Sequence, residues 1–396
     1  MNKKIKLAVY SVNPVQYHAP IFRALNKEKD VDTTILFGSD IGSRAFYSRE
    51  LRTTIEWDIP ILKGYQYKFF KNLASENRRG TFSRINFGMF VDILKNRYDA
   101  VLIHGYDTIS SWIVFLAAKL TGAKIIWRGE ATIRPVLRQN PIKKFIKHKV
   151  LPFYFKKCDA VMYSCTGNRK YIQQFSVKDE KMFLIPCAVD NSFFRERRII
   201  DQNELLLKRQ ELGILEDDFV VLFSARFTIR KRPLDLIEAV SAIDNKNIVM
   251  LFVGEGLERE NMEALCEKYN IKSVFTGFSG QKELPKYYSI SDLFAVVSDY
   301  DASPKSLNEA LNFELPVLVT DKVGTSFDLV KDFKNGFIVE SRDIKLMSEK
   351  IDYLNKNRII AKEMGKKSLP VSNDWTIEND VKGIMQALNY VLESRS

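Results

Sequence analysis

Short apolar runs alternate with longer amphipathic stretches along the whole chain, and each run has the length of a β-strand. In the first half we predict strands at KIKLAVYS (4–11), TTILFGS (33–39), DAVLIHG (99–105), AKIIWRG (123–129), DAVMYSC (159–165) and FLIPCAV (183–189). In the second half the predicted strands are VVLFSAR (220–226), IVMLFVG (248–254), SVFTG (273–277), LFAVVSD (293–299), PVLVT (316–320) and GFIVE (336–340). Runs that are apolar on both faces are typical of parallel strands covered by helices on each side. These strands are too many for one compact sheet, so the pattern predicts an α/β protein with two doubly wound, Rossmann-like domains.

The domain boundary is predicted within 193–218, a charged stretch without a strand pattern, and we place it near residue 198. This assigns 1–198 to an N-terminal domain and 199–374 to a C-terminal domain. Residues 375–396 are predicted to form a C-terminal helix that crosses back to the N-terminal domain. Ligands of open parallel sheets bind beyond the carboxyl ends of the strands, so two such domains are expected to face each other across a cleft.

The chain of 396 residues has a net charge of +12, and the excess positive charge lies in its first half. Residues 1–195 hold 33 Lys and Arg against 16 Asp and Glu, a net +17, whereas the rest hold 28 against 33, a net −5. A basic field suits nucleic acid, anionic lipid or a phosphorylated substrate, or it reflects solubility alone. No nucleic-acid-binding motif is present, so we predict no nucleic acid partner.

Lysines interleave with aromatic and aliphatic residues in KKFIKHKVLPFYFKKC (143–158), a composition that suits an anionic membrane surface. Apolar core residues flanked by solvated lysines would explain the same stretch equally well. No apolar run approaches the length of a membrane helix, and the N-terminal segment lacks a signal-peptide cleavage site, so we expect a cytoplasmic protein. The four cysteines are scattered without a CxxC pair, which indicates neither a disulfide framework nor a zinc site.

Two cations follow the strand VVLFSAR: Arg226 ends it, and Lys231 comes after a short turn that Pro233 closes. A guanidinium offers a planar fork to phosphate oxygens and an ammonium offers a point charge, so together they could hold a diphosphate. Alone, the turn would more simply be a solvated basic loop.

Downstream, Asp301 lies in the loop DYDASP and Glu309 in the helical pattern KSLNEALNF. Carboxylates there could bind the hydroxyls of a sugar and a ribose, although each alone could be a helix cap or an exposed side chain. The four residues together indicate a protein that binds a nucleotide sugar and cleaves its sugar–phosphate bond.

Glycines follow two other strands, in GEG (254–256) and FTGFSG (275–280). They permit either a tight turn or close approach of the backbone to a ligand. The candidates there are Gly254, Gly256, Gly277 and Phe278.

The segments from SARFTIRKRPLDLIEA through VGEG, VFTGF, LPKYYSISDLF, DASPKSLNEALNFELPVLVTD and NGFIV resemble retaining glycosyltransferases of family 4, which have the GT-B fold. The resemblance is strong over 219–340, weaker over 158–190 and faint at the N-terminus. It implies that Arg226 and Lys231 bind the donor diphosphate, that Asp301 contacts the transferred sugar and that Glu309 contacts the ribose. The donor-binding residues that it implies also include Ser303, Pro304, Lys305 and Ser306. Asp301 stands where the family usually has Glu, and Pro304 where it often has Gly, so the identity of the sugar is open.

The family's N-domain histidine is best matched by His104 in VLIHGYD, and His18 in NPVQYHAP is the rival. On the same acceptor side we place Tyr17, Arg128 and Glu130. The third histidine, His148, lies in the basic stretch and is a poor candidate.

The resemblance implies a metal-independent enzyme that uses a UDP- or GDP-sugar, acts on a glycan or lipid-linked acceptor and belongs to cell-envelope polysaccharide synthesis. The sequence Asp299-Tyr300-Asp301 matches the DxD pattern of a metal-dependent enzyme, but it overlaps the carboxylate motif. We therefore predict neither metal nor cofactor. The alternatives are a two-lobed sugar-binding receptor, which would be expected to carry a secretion signal and would not need the cation pair, and an inactive GT-B scaffold.

Overall fold

The computed structural model describes residues 4–48, 51–74, 80–133, 141–244 and 247–393, without the side chains of 141–144 and 146. It divides into two compact units, of which the first comprises 1–46, 59–187 and 377–396 and the second comprises 47–58 and 188–376. The boundary therefore follows Cys187 rather than residue 198, where we predicted it. Residues 188–198, which we assigned to the N-terminal domain, belong to the second unit, where the amide of Val189 donates to the side-chain oxygen of Asn308 at 3.0 Å.

The strands, in chain order, are β1 (Ile5–Ser11), β2 (Val31–Phe37), β3 (Phe46–Ser48), β4 (Thr53–Ile55), β5 (Gln66–Phe69), β6 (Ala100–His104), β7 (Lys124–Gly129), β8 (Ala160–Tyr163), β9 (Met182–Leu184), β10 (Phe219–Ser224), β11 (Ile248–Val253), β12 (Lys272–Gly277), β13 (Leu293–Val296), β14 (Val317–Thr320) and β15 (Gly336–Val339). Every predicted strand is present. The strands β3, β4 and β5 were not predicted, because β3 and β4 have only three residues each and the side chains of β5 are all exposed, so none of them forms a buried apolar run.

The helices, in chain order, are α1 (Ala19–Leu25), α2 (Phe87–Asn96), α3 (Ile109–Thr121), α4 (Pro141–Lys156), α5 (Thr166–Gln173), α6 (Asn191–Arg195), α7 (Gln202–Glu211), α8 (Pro233–Ser241), α9 (Arg259–Lys268), α10 (Leu284–Ser289), α11 (Lys305–Leu311), α12 (Ser326–Leu329), α13 (Ile344–Lys356), α14 (Arg358–Lys366), α15 (Ser368–Ser372) and α16 (Ile377–Glu393). In the part of the chain that the structure describes, none of them combines the length and apolar character that crossing a bilayer requires.

Each unit is built on one parallel sheet. The first has the strand order β5-β2-β1-β6-β7-β8-β9 and the second β12-β11-β10-β13-β14-β15, and a separate two-stranded sheet joins β3 and β4. In both large sheets the order reverses beside the first strand, between β1 and β6 and between β10 and β13. This is the doubly wound arrangement that the pattern predicted, and it puts a ligand-binding crevice at the carboxyl ends of the strands of each unit.

The central strands are buried because their side chains are apolar on both faces: Leu7, Ala8, Val9 and Tyr10 of β1 are all 0% exposed. Helix α16 belongs to the first unit and packs against β9. Gly383 permits this contact, since a Cβ at that position would lie 2.1 Å from the carbonyl oxygen of Leu184. The helix thereby brings the buried carboxylate of Asp380 to the backbone of Cys187, whose amide donates to it at 2.7 Å.

A network of buried polar side chains ties the start of the second unit to its end. The Asn191 side-chain amide donates to the carbonyls of Ser372 and Trp375 at 3.0 and 2.9 Å. Its carbonyl oxygen accepts from Asn312, which follows α11, at 2.8 Å. The segment around Asn191, at the start of the second unit, and the segment around Ser372 and Trp375, at its end, are therefore linked to each other and to Asn312 at the end of α11.

Replacing Asn191 by alanine is expected to lower the free energy of unfolding by about 1–3 kcal/mol, because it leaves buried donors and acceptors unsatisfied. Asn203→Ala, an exposed position on α7, is the matched control and should change the stability by less than about 0.5 kcal/mol. Urea denaturation of both variants measures the difference. Equal stability of the two would show that water replaces the network without loss.

Candidate functional site

The predicted cation pair lies on the loop between β10 and α8. The strand ends at Ser224, so Arg226 stands beyond the sheet edge and is exposed. Lys231 ends a turn of 3-10 helix over Ile229–Lys231 and is only 8% exposed. Helix α8 starts at Pro233, whose fixed φ suits the first helical position. A short loop thus holds one exposed and one buried cation at the carboxyl end of the central strand.

Gly254 and Gly256 let a second loop approach this one closely. A Cβ on Gly254 would lie 2.0 Å from the carbonyl oxygen of Ala225, and one on Gly256 would lie 2.3 Å from that of Phe227. Because the glycines have no Cβ atoms, the two loops come close enough for the amide of Phe227 to donate to the carbonyl of Glu255 at 2.8 Å. Both glycines have positive φ, which side chains rarely adopt. They therefore fix the backbone that carries Arg226.

Lys231 and Asp301, predicted to hold different parts of a donor, form an ion pair with each other. Both side chains are 10% exposed. The backbone of Asp301 is fixed in turn, because its carbonyl accepts from the amide of Gly324 at 2.7 Å. Opposite charges interact strongly at such burial. The pair also places a cation, which could bind a phosphate, beside a carboxylate, which could bind sugar hydroxyls.

Glu309 lies on α11 and is 1% exposed. The hydroxyl of Tyr288 donates to its Oε2 at 2.7 Å, and Tyr288 itself is fully buried. The hydrogen bond orients the carboxylate. Sequence reasoning missed Tyr288, although it lies within LPKYYSISDLF, because an aromatic residue in an apolar run reads as core.

The remaining donor-side candidates surround α11 and the end of β12. Ser303 and Pro304 precede the helix, and the Lys305 ammonium donates to the hydroxyl of Ser303 at 3.3 Å. Ser306 lies in the first turn of α11, and its carbonyl accepts from Tyr288 at 3.4 Å. Gly277 ends β12 with φ +76, and Phe278 follows it half-buried.

The two carboxylates of the DxD-like pair contact different cations. Asp299 contacts the guanidinium of Arg342 at 3.1 Å, whereas Asp301 contacts Lys231.

In the first unit the two rival histidines lie side by side. His104 ends β6, and its ring centroid is 5.1 Å from that of His18, which precedes α1. Burial is the main cause that holds the pKa of His104 well below its ordinary value, and the charges of Arg128 and His18 lower it further. At neutral pH His104 is therefore uncharged and can exchange hydrogen bonds. Tyr17 lies half-buried in the turn before His18. The exposed His148 instead packs on Phe175.

Arg128 and Glu130 follow at the end of β7. Arg128 is 5% exposed and its Nη2 lies 3.3 Å from Glu130 Oε1. Burial lowers the pKa of Arg128, but Cys187, Glu130 and Asp380 outweigh that effect and raise it, so the guanidinium stays charged. The thiol of Cys187 donates to Glu130 Oε1 at 2.8 Å. Sequence reasoning missed Cys187 and Asp380, because they are far from this strand in the chain.

Comparison with known proteins identifies the class. Residues 206–369 match the family described as glycosyl transferases group 1. A putative glycosyltransferase of Bacillus subtilis, EpsD, is 22% identical over 319 residues, which cover 76% of this chain and 81% of that protein. The Campylobacter jejuni GalNAc-alpha-(1->4)-GalNAc-alpha-(1->3)-diNAcBac-PP-undecaprenol alpha-1,4-N-acetyl-D-galactosaminyltransferase is 22% identical over 340 residues, covering 84% of this chain and 86% of that enzyme. Anabaena HepE, solved with UDP, matches with a TM-score of 0.74 and 14% identity over 98% of this chain and 99% of that one.

The second half of the chain therefore resembles the group 1 glycosyl transferases over residues 206–369. The predicted GT-B fold and the predicted enzyme class, a glycosyltransferase, are both confirmed.

Proposed function

We propose that the protein is a retaining, metal-independent glycosyltransferase that moves a sugar from a UDP- or GDP-sugar to a glycan or lipid-linked acceptor in cell-envelope polysaccharide synthesis. The observation that carries the proposal is the group of charged side chains at the carboxyl edge of the second sheet: the buried pair Lys231–Asp301 and the buried Glu309. Such a set can bind a diphosphate, a sugar and a ribose without further groups.

In this proposal the second unit binds the donor. Arg226 and Lys231 stabilise the negative charge that develops on the departing diphosphate. When the donor binds, Lys231 contacts a phosphate oxygen in addition to Asp301. Asp301 accepts hydrogen bonds from hydroxyls of the sugar. Glu309, which is oriented by Tyr288, accepts a hydrogen bond from each of the two ribose hydroxyls. The segment Ser303–Ser306 and the glycine loops with Phe278 complete the donor site.

The first unit binds the acceptor. His104 is proposed as the residue that assists at the anomeric carbon, with His18, Tyr17, Arg128 and Glu130 on the acceptor side. The departing phosphate takes the proton of the acceptor hydroxyl as the new glycosidic bond forms on the same face of the sugar. Since Arg226 and Lys231 supply fixed positive charge, the diphosphate needs no metal ion.

The substrate class is supported by relatives. HepE has been solved with UDP-glucose as well as UDP. The Campylobacter jejuni relative is named for an undecaprenol diphosphate-linked glycan. A nucleotide sugar as donor and a polyprenol diphosphate-linked glycan as acceptor are therefore the first substrates to test.

The decisive experiment measures nucleotide diphosphate release from a panel of UDP- and GDP-sugars in the presence of EDTA, with and without a polyprenol diphosphate-linked sugar. We expect release with one donor, stimulation by the acceptor and an unchanged anomeric configuration by NMR of the product. Release with no donor would favour the receptor or the inactive scaffold. An inverted product would contradict the retaining part, and a loss of activity in EDTA that added magnesium or manganese restores would contradict the metal-independent part.

We further propose that the first unit docks on the cytoplasmic face of an anionic membrane through α3 and α4. The helices contact each other, as the stacked rings of Phe115 and Tyr154 are 4.6 Å apart. The outer side chains of these helices form a basic–apolar face, defined as Leu116, Lys119, Leu120, Phe145, Lys149 and Phe153, all of them exposed. Phe145 and Phe153 are 65% and 63% exposed. A surface that contacts only water has no need of exposed phenylalanine side chains. Lysines among exposed aromatic residues complement anionic head groups.

Co-sedimentation with vesicles tests this face. Binding to phosphatidylglycerol vesicles should exceed binding to phosphatidylcholine vesicles and weaken with added salt. The double variant Phe145→Ser/Phe153→Ser should bind at least about tenfold more weakly, because burial of one phenylalanine contributes about 1.5–3 kcal/mol. Leu215→Ser, an equally exposed apolar position in the second unit, is the control. Binding that is absent, or insensitive to salt, would contradict the proposal.

A further inference from the structure

Three side chains of the kinds that bind transition metals meet in the first unit, outside the proposed donor site. His18 follows β1, Glu130 follows β7 and Cys187 follows β9. One ligand atom of each, an imidazole nitrogen, a carboxylate oxygen and the sulfur, lies within 4.8 Å of the other two. Since the strands are parallel, their carboxyl ends bring together residues that are far apart in the chain.

We propose that His18, Glu130 and Cys187 form a zinc site. Imidazole, carboxylate and thiolate are the ligand types that zinc uses, and three protein ligands with one open position are a common set. A thiolate ligand selects zinc over magnesium and calcium, which prefer oxygen ligands alone. The proposal does not rest on the proposed transfer reaction.

The cysteine is held in place before any ion arrives. Its backbone has φ +55, which few residues other than glycine adopt, and its amide donates to Asp380 at 2.7 Å. The Asp380 side chain is itself fully buried on α16. A cysteine whose backbone is fixed in this way has less freedom to lose when it binds a metal ion, as in metal sites where surrounding hydrogen bonds orient the ligands.

The charges also balance. Binding would break the S–H bond of Cys187, form a zinc–sulfur bond and release the proton to solvent. The thiolate and the Glu130 carboxylate together neutralise the two charges of the ion, with His18 as a neutral ligand. Arg128, 3.3 Å from Glu130, adds a positive charge, which the nearby Asp380 carboxylate offsets. The sequence indicated no zinc site because these ligands share no short spacing such as CxxC.

Equilibrium titration of the full, EDTA-treated chain with zinc against a chromophoric chelator tests the site. We expect one equivalent to bind, and Cys187→Ser, Glu130→Gln and His18→Asn each to weaken binding by at least about tenfold. Cys158→Ala and His148→Asn, a cysteine and a histidine of the same unit outside the cluster, should leave the affinity unchanged. Magnesium at the same concentration should not compete.

A second readout needs no variant. Cobalt(II) added to the wild-type chain should give the near-ultraviolet charge-transfer band of a cobalt–thiolate bond, and zinc should abolish it. A cobalt complex without that band would overturn the proposal. So would zinc binding that Cys187→Ser leaves unchanged in a chain shown by circular dichroism to be folded, or wild-type chain that binds no zinc.

Discussion

Replacing Lys231 by methionine is expected to lower the rate of sugar transfer by about 10²–10³-fold, the usual cost of removing one preorganised group that stabilises developing negative charge. Lys231 is 8% exposed, so water replaces its ammonium poorly. Methionine fills a similar volume, which limits the effect to the lost charge. Steady-state kinetics with the donor identified from the panel measure the change. Lys208→Met, at a half-buried lysine on α7 outside the proposed site, is the control and should retain full activity.

The ion pair with Asp301 makes a stability effect part of the same prediction. Lys231→Met leaves a buried carboxylate without its cation, and breaking such a pair costs about 3–5 kcal/mol. Adding Asp301→Asn removes the uncompensated charge, so the double variant should recover much of the free energy of unfolding. It should not recover transfer activity. If activity returned together with stability, Lys231 would serve the fold rather than the leaving group.

Replacing Glu309 by glutamine is expected to lower kcat/KM for the nucleotide sugar by about 10- to 100-fold, because hydrogen bonds to a charged partner contribute about 1.5–3 kcal/mol. The carboxylate is 1% exposed and oriented by Tyr288 at 2.7 Å. Tyr288→Phe removes the orienting bond and the longer contact with the Ser306 carbonyl but keeps the Glu309 carboxylate, so its effect should be several times smaller. Kinetics with each variant give both values.

A donor that lacks the ribose 2′-hydroxyl tests the assignment from the ligand side. Wild type should use the 2′-deoxy donor less well than the natural one, because Glu309 loses a hydroxyl to bind. In Glu309→Gln the penalty should shrink. An equal penalty in both proteins would mean that Glu309 does not contact the ribose, and the lost activity of the variant would then reflect changed packing.

The prediction of the two sheets succeeded for a simple physical reason. Strands buried on both faces must be continuously apolar, and the runs at β1 and β10 show this directly. The strand β5 was missed because all its side chains are exposed, so the same signal is absent. Residues 188–198 were assigned to the N-terminal domain because their contacts, such as that of Asn191 with Ser372, join residues far apart in the chain and leave no local signal.

By itself the sequence determined the fold class, the enzyme class and the candidate residues at the strand ends, because apolar periodicity and short motifs are local properties of the chain. The tertiary structure decided which side chains meet. It paired Lys231 with Asp301, oriented Glu309 with Tyr288 and brought Cys187 to Glu130. These contacts join residues far apart in the chain, and only the parallel packing of strands and the docking of helices bring them together.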